Sequence, residues 1–441
     1  IPRDTNLTLV ESWDEAAAFR EWLGQRRPVL AVDTETSGFR WWDGELRLVQ
    51  FGDAQSGWAI PFDQWGFVIR EALERYEGPT VYHNAKFDLH WLERFNIRPP
   101  RHLVNDTAVM AHLVAPDQRV GLKECAARWI DAHAADGQSA LKAAMSKAKW
   151  TWGSIPVEFE AYWSYAALDV VLTARLWEHL VPTIRTDFRE VYDLEMAVSH
   201  ILMDMETRGV RVDLPYAAER QHDLEAYAAE ARAWCEQVYG FGVGSNKRVA
   251  AQLLADGVHL TERTKGGSWS MTEEILDGID HPLADVVVGV RKAEKIAHSY
   301  FGKLQEMADG EIVHCSVRPL GARTGRMSVS DPSLQNLPRG PMVRDAFIAR
   351  EDHVLVGADM DQIELRLAAH FSQDQDLIAA FDSEDVFTDM AHRIYKDPTI
   401  TKDDAEPNTV ARFSGCMPAI GTAVWSSPAS AIRRWSIAAA S

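Results

Sequence analysis

The run Pro28-Val-Leu-Ala-Val-Asp-Thr-Glu-Thr-Ser-Gly38 constrains this chain more than any other stretch. It is apolar and β-branched up to Val32, carries acids at Asp33 and Glu35, and breaks at glycine, which is the pattern of a buried strand. Strand side chains alternate faces, so both acids point the same way at the strand's C-terminal end. Two carboxylates on one face repel each other. They make sense together if a divalent cation sits between them. Otherwise they are two exposed acids at a strand end, and Asp-x-Glu alone does not decide.

The flanking text predicts a helix from Trp13 to Leu23 and strands at Leu46–Gly52 and Gly57–Phe62, hence a sheet with helices packed on it. Thr80–Leu92 begins as a short strand and becomes a helix with Leu89, Leu92 and Phe95 on its apolar side. Asn84 and Asp88, four residues apart, share a helix face. Asp88 is either a third site acid or an ordinary aspartate favoured near a helix N-terminus. Tyr162–Thr173 is strongly helical, and Tyr165 and Asp169 are again four apart. An aspartate among Ala, Leu and Val is costly to bury without a partner, so a metal or other cation is expected beside it. Asp106 reads as a helix cap. His83 and His133 read as packing or surface residues, and Phe87 and Trp91 as core.

Asp-x-Glu, then Asn-x-x-x-Phe-Asp, then Tyr-x-x-x-Asp, in this order, resembles the 3′→5′ exonuclease domain of the DnaQ-like superfamily. The resemblance implies a ribonuclease-H-like fold. It also implies that Asp33, Glu35, Asp88 and Asp169 ligate two divalent ions, that Tyr165 orients the attacking water, and that Asn84 contacts DNA. Phosphodiester hydrolysis needs a nucleophilic hydroxide and shielding of the leaving oxygen, and two cations roughly 4 Å apart supply both. Mg²⁺ or Mn²⁺ suits four carboxylates and no thiolate.

From Asp187 the pattern changes. Val191, Leu194, Val198, Ile201 and Met205 mark one face of a long helix that Gly209 ends. Helical text follows to about Gln237. Ser245 is placed as an N-cap for Asn246–Leu254, beside Lys247 and Arg248, which is either a phosphate site or a solvated cap. His281–Leu304 is a second long helix with Arg291, Lys292 and Lys295, either a wet face or a track for a DNA backbone.

Three later runs are Ala322-Arg-Thr-Gly-Arg-Met-Ser328, Asp331-Pro-Ser-Leu-Gln-Asn-Leu-Pro338 and Val354-Leu-Val-Gly-Ala-Asp-Met-Asp-Gln-Ile-Glu-Leu-Arg366. Together they resemble family A DNA polymerases, the DNA polymerase I type. That resemblance implies an α/β and α+β multidomain chain: a ribonuclease-H-like exonuclease domain over 1–185, a helical DNA-binding thumb over 186–310, the N-terminal part of a polymerase palm over 311–400, and an aberrant or incomplete fingers segment over 401–441. It places Arg323 and Arg326 on the primer–template, with Gln335 and Asn336 by its minor groove. Asp359, at the end of an apolar strand Val354–Ala358, would be a palm metal ligand. Glu364 would crowd the sugar 2′ position and favour deoxynucleotides.

The chain also departs from the family. Met360-Asp361 stands where Tyr-Ser is usual, and Asp385-Val-Phe387 where Asp-Ile-His is common. Glu406–Pro418 offers Arg412 as its single cation, between prolines that disfavour one helix. No later His-Asp-Glu follows, and one aspartate does not hold two Mg²⁺. Little or no polymerisation is therefore expected.

A formal charge of −19 argues against indiscriminate binding to polyanions but is compatible with a local basic groove. Cys125, Cys235, Cys315 and Cys416 are scattered, which points to reduced thiols rather than a disulfide frame or zinc site. No apolar run is long enough to span a bilayer. A monomer in the cytoplasm of a bacterial or phage-infected cell is expected, acting on DNA primer–templates and single-stranded 3′ ends, and on deoxynucleotides if the polymerase were complete. Two alternatives remain: a ribonuclease D-like exonuclease, which would have no use for the Thr-Gly-Arg and Asp-Gln-Ile-Glu runs, and a catalytically dead DNA-binding fragment.

Overall fold

The computed structural model describes residues 5–134 and 136–381, with isolated positions beyond, of which the last is Thr399. The expectations for Asp385, Phe387 and residues 401–441 lie outside the described residues. The chain forms two compact units. One runs to Thr186 and resumes from Tyr192 to His353; the other takes Asp187–Val191 and the chain from Val354.

The first unit opens with a six-stranded sheet. Its strands are β1 Asn6–Leu9, β2 Leu30–Thr36, β3 Leu46–Gly52, β4 Ser56–Pro61, β5 Thr80–Tyr82 and β6 Val104–Asp106. They lie in the order β1-β4-β3-β2-β5-β6. β3 is antiparallel to both neighbours and the other pairs are parallel. β2 is central and almost continuously buried, as a strand covered on both faces must be. Helix α1 Trp13–Leu23 begins with a capping box between Ser12 and Glu15. It sets Phe19 against Phe51 and Trp58, at 5.2 and 5.7 Å between ring centres. Helices α2 Phe62–Arg75, α3 Ala85–Arg94, α4 Thr107–Val114, α5 Leu122–Trp129 and α6 Asp136–Ala148 follow.

The long helix α7 Glu160–Thr183 crosses the sheet from β1 to β5. It can come so close because Gly52 and Gly57 face each other in register on β3 and β4. A Cβ at Gly57 would fall 2.0 Å from the Ala167 carbonyl oxygen, and one at Gly52 2.7 Å from Val170 Cγ2. The two glycines thus fix the height of the helix that carries Tyr165 and Asp169.

Helix α8 Arg189–Arg208 ends at Gly209, whose φ of +59° suits glycine. The predicted apolar stripe is not the buried face. Leu194, Ile201 and Met205 are exposed, whereas Tyr192, Met196, Ser199, Leu202, Met203 and Glu206 are buried. The helix carries apolar residues on two sides. The side with Glu206 is inside because Lys86, His90 and the Val317 amide satisfy that carboxylate.

Helices α9 Leu214–Tyr239, α10 Asn246–Ala255, α11 Glu273–Asp277 and α12 Pro282–Ile296 enclose a core including Cys235, Val249, Leu253, Leu283 and Val287. Ser245 caps α10 through the Arg248 amide. Arg291 is held by the Met271 carbonyl and Asn246, and Lys292 by Glu273 and Asp277, so these cations serve internal contacts. Small sheets follow: β7 Val210–Arg211 with β8 Ala308–Asp309 and β9 Ile312–Val313, and the hairpin β10 Ser316–Arg318 with β11 Ser328–Ser330.

In the second unit the expected strand Val354–Ala358 does not form. Val354 and Val356 are 80 and 85% exposed. An isolated extended run leaves its amides and carbonyls to water, and among the described residues no strand pairs with it. Two short helices, Ile363–Ser372 and Gln375–Ala380, follow.

Candidate active site

Asp33 and Glu35 point from the end of β2 as the alternation requires, and both are half-buried. Asp88 lies in the first turn of α3 and is 1% exposed. Thr34 Oγ1, from the other face of β2, donates to Asp88 Oδ1 at 2.7 Å. Asp106 caps two helices at once. Its carboxylate accepts from the Ala108 amide of α4 at 2.8 Å, and from the Asn84 and Ala85 amides leading into α3 at 3.0 and 2.8 Å. This cap holds the chain turn at Asn84, φ +73°, from which α3 presents Asp88. Asn84 itself is exposed. His83 is tied to Thr107 Oγ1 and the Val120 carbonyl, which fits a packing role.

The acids act on one another. Burial pushes Asp33 up to about 6, partly opposed by the charge of Lys123. Burial, then the charge of Asp33, pushes Glu35 up to about 8, again with Lys123 opposing. Asp88 is raised well above the usual carboxylate range by burial and then by Asp33. Burial, Glu35 and Asp33 also raise Tyr165, so its phenol keeps its proton.

Asp169, buried on α7, forms an ion pair with Lys123 of α5. The same ammonium lies 4.3 Å from the centre of the Tyr165 ring. Gln138 Nε2 donates to the Tyr165 hydroxyl at 3.4 Å. Lys123 is 8% exposed, and burial lowers it to about 8 against the pull of Asp33 and Glu35. Sequence reasoning missed it. A lysine followed by glutamate near a helix start reads as solvated, and the buried, partner-seeking Asp169 was the one available signal.

Among the described residues no three His, Cys, Asp or Glu side chains are arranged to hold a metal ion as they stand. The Lys123 ammonium takes the position against Asp169 that a cation would need. The donor chemistry nevertheless suits a hard cation. Burial raises the proton affinity of all three carboxylates, the charge of Asp33 raises Glu35 and Asp88 further, Lys123 offsets Asp33 and Glu35, and no thiolate or imidazole is among them.

Arg323 pairs with Asp117 at 3.1 Å on the surface. The Arg326 carbonyl accepts from the Ala322 amide. Gln335 braces the β10–β11 hairpin, accepting from the Val329 amide and donating to the Met327 carbonyl. Asn336 donates to Ser333 Oγ, and its carbonyl accepts from the Tyr300 hydroxyl. Asp359 is exposed in the unpaired run of the second unit, and Glu364 stands in the first turn of Ile363–Ser372.

A cleft of about 700 Å³ borders Asn84 and Phe87, the residue before Asp88, with Phe39, Trp41 and Arg318 on its walls; the four predicted acids do not line it. Also lining it, Glu206 accepts from Lys86, His90 (2.7 Å) and the Val317 amide (2.5 Å), and Trp41 stacks on His90.

A mixed sheet with acids at the end of its central strand, crossed by a helix bringing Tyr165 and Asp169, is the arrangement of a ribonuclease-H-like fold. In agreement, the family model described as 3′-5′ exonuclease matches residues 8–185. A second, DNA polymerase family A, matches residues 215–409. The DNA polymerase of Mycobacterium phage L5 is 30% identical over 86% of this chain and 67% of its own length. DNA polymerase I of Chloroflexus aurantiacus is 30% identical over 86% of this chain and 43% of its own. The chain belongs to DNA polymerase family A and carries a 3′-5′ exonuclease domain. The solved POL domain of Pol1 from M. smegmatis, in complex with DNA primer-template and dNTP, shares the fold with a TM-score of 0.67 at 23% identity, over 94% of this chain and 71% of that one. Among the described residues no helix is long and apolar enough to cross a membrane.

Proposed function

We propose that this chain hydrolyses DNA from the 3′ end, with Asp33, Glu35, Asp88 and Asp169 holding a pair of Mg²⁺ or Mn²⁺ ions. Such ions supply a nucleophilic hydroxide and shield charge on the leaving oxygen. The chain's own residues do the rest. Asp33 and Glu35 are fixed by the rigid central strand, and Asp88 by Thr34. Tyr165 keeps its proton and orients water by hydrogen bonding. The aromatic-walled cleft beside Asn84 and Phe87 admits an unpaired 3′ end, because base faces stack on aromatic rings without regard to sequence. Arg323, Arg326, Gln335 and Asn336 are assigned to the primer–template, and Asp359 and Glu364 to the polymerase part. On the same reading the exonuclease domain spans 1–185, the thumb 186–310 and the palm portion 311–400.

The observation that carries this reading is the pair Asp33 and Glu35 on one face at the end of β2, with the charge of Asp33 acting on both Glu35 and Asp88. A 5′-labelled single-stranded oligonucleotide, incubated with the purified chain and Mg²⁺, should shorten stepwise from its 3′ end. Chelator or Asp33→Asn should stop the reaction. Shortening that survives Asp33→Asn, or its absence from the intact chain, refutes the proposal.

A further inference from the structure

The position of Lys123 runs against its own chemistry. It is almost fully buried, and it lies at the second residue of α5, where the helix dipole disfavours a cation. No apolar packing argument places an ammonium there; carboxylates do. The ammonium touches two side chains one turn apart on α7, pairing with Asp169 and lying over the ring of Tyr165. It also feels the charges of Asp33 and Glu35. A single group therefore touches both residues of the Tyr-x-x-x-Asp motif, and its charge also acts on the acids of β2.

We propose that Lys123 is a positioning residue of the nuclease site, a resident counter-ion that holds Asp169 until a divalent ion takes that carboxylate and that stays against Tyr165 afterwards. The inference rests on the exonuclease reading above. Metal loading is then an exchange of one cation for another rather than entry into a ready-made cage. The exchange has two consequences of opposite sign. Lys123 competes with the metal, so losing its charge should tighten metal binding. It also aligns Tyr165 and Asp169, so losing it should slow turnover.

The test uses the 441-residue chain stripped of metal, with Mn²⁺ as the probe in calorimetric titration, and oligonucleotide hydrolysis at saturating Mn²⁺. Lys123→Met keeps the stem and removes the charge; it should bind Mn²⁺ about tenfold or more tightly, since a unit charge so close to the ion acts strongly at low dielectric. Its kcat should fall at least tenfold, with KM for DNA little changed. Lys123→Arg, which keeps the charge, should retain the parent's Mn²⁺ affinity and controls for misfolding. A residue that merely supports the fold would give weaker metal binding in Lys123→Met. If the parent chain binds Mn²⁺ and digests DNA but Lys123→Met binds it no more tightly, this inference fails alone. If the parent does neither, the exonuclease reading fails and takes this one with it.

Discussion

Replacing Gly57 by alanine puts the closest contact in the nuclease part under direct strain. The new Cβ would lie 2.0 Å from the Ala167 carbonyl oxygen, where ordinary contact begins at 3.4 Å. The obstacle is helix backbone, so no side chain can swing aside. Either α7 withdraws by about 1.4 Å or β4 bends away. Ala167 lies midway between Tyr165 and Asp169, so both move with it. Overpacking of this kind costs about 1–3 kcal/mol, a fall in Tm of about 2–12 °C for a domain of this size. A misplacement near 1 Å costs about 100-fold in rate. The assay is oligonucleotide hydrolysis at saturating Mg²⁺, read beside a thermal melt. A kcat within threefold of the parent, with Tm unchanged, would refute the claim that the paired glycines set the helix height. Gly52→Ala should be milder, because its Cβ would meet the Val170 methyl at 2.7 Å and the Ser56 carbonyl oxygen at 2.8 Å, both less severe than 2.0 Å.

Other perturbations follow from the same geometry. Thr34→Val removes the buried donor to Asp88 and should cost about 1–2 kcal/mol in urea denaturation. With chelator present, stability should fall as pH rises from the ordinary carboxylate range, until about 6 for the part due to Asp33 and until about 8 for the part due to Glu35. Asp33 and Glu35 have folded values raised to those points, so the native state binds more protons than the unfolded chain across this window. Lys123, lowered to about 8, acts in the opposite sense above that pH. Saturating Mg²⁺, or Asp33→Asn with Glu35→Gln, should flatten the decline, as pH-dependent melts would show. Glu206→Ala strands Lys86 in a buried site and should destabilise by about 3–5 kcal/mol by the same denaturation measurement.

Much of the nuclease part was legible in the sequence because local signals and burial agree there. β2 shows its alternation, Trp13–Leu23 has its cap and ends, and Asp106 and Ser245 cap the helices their positions suggest. The failures share one cause: the decisive partner is distant along the chain. Periodicity in α8 finds an apolar stripe, but Lys86 and His90, more than 100 residues earlier, draw in Glu206 and turn Leu194 and Ile201 outward. Lys123 looks solvated until α7 sets Asp169 against it. Val354–Ala358 has the composition of a strand, yet composition supplies no neighbour to bond with.

The buried knot around Glu206 also bears on where this polypeptide can be cut. It joins α3, which carries Asp88, to α8 and to β10, some 230 residues further on. Heating should therefore disassemble these parts in one cooperative event. A stand-alone nuclease trimmed after Thr183 would expose Trp41 and His90 and lose a brace on the helix that carries Asp88. Surface redesign of that face would have to accompany the excision.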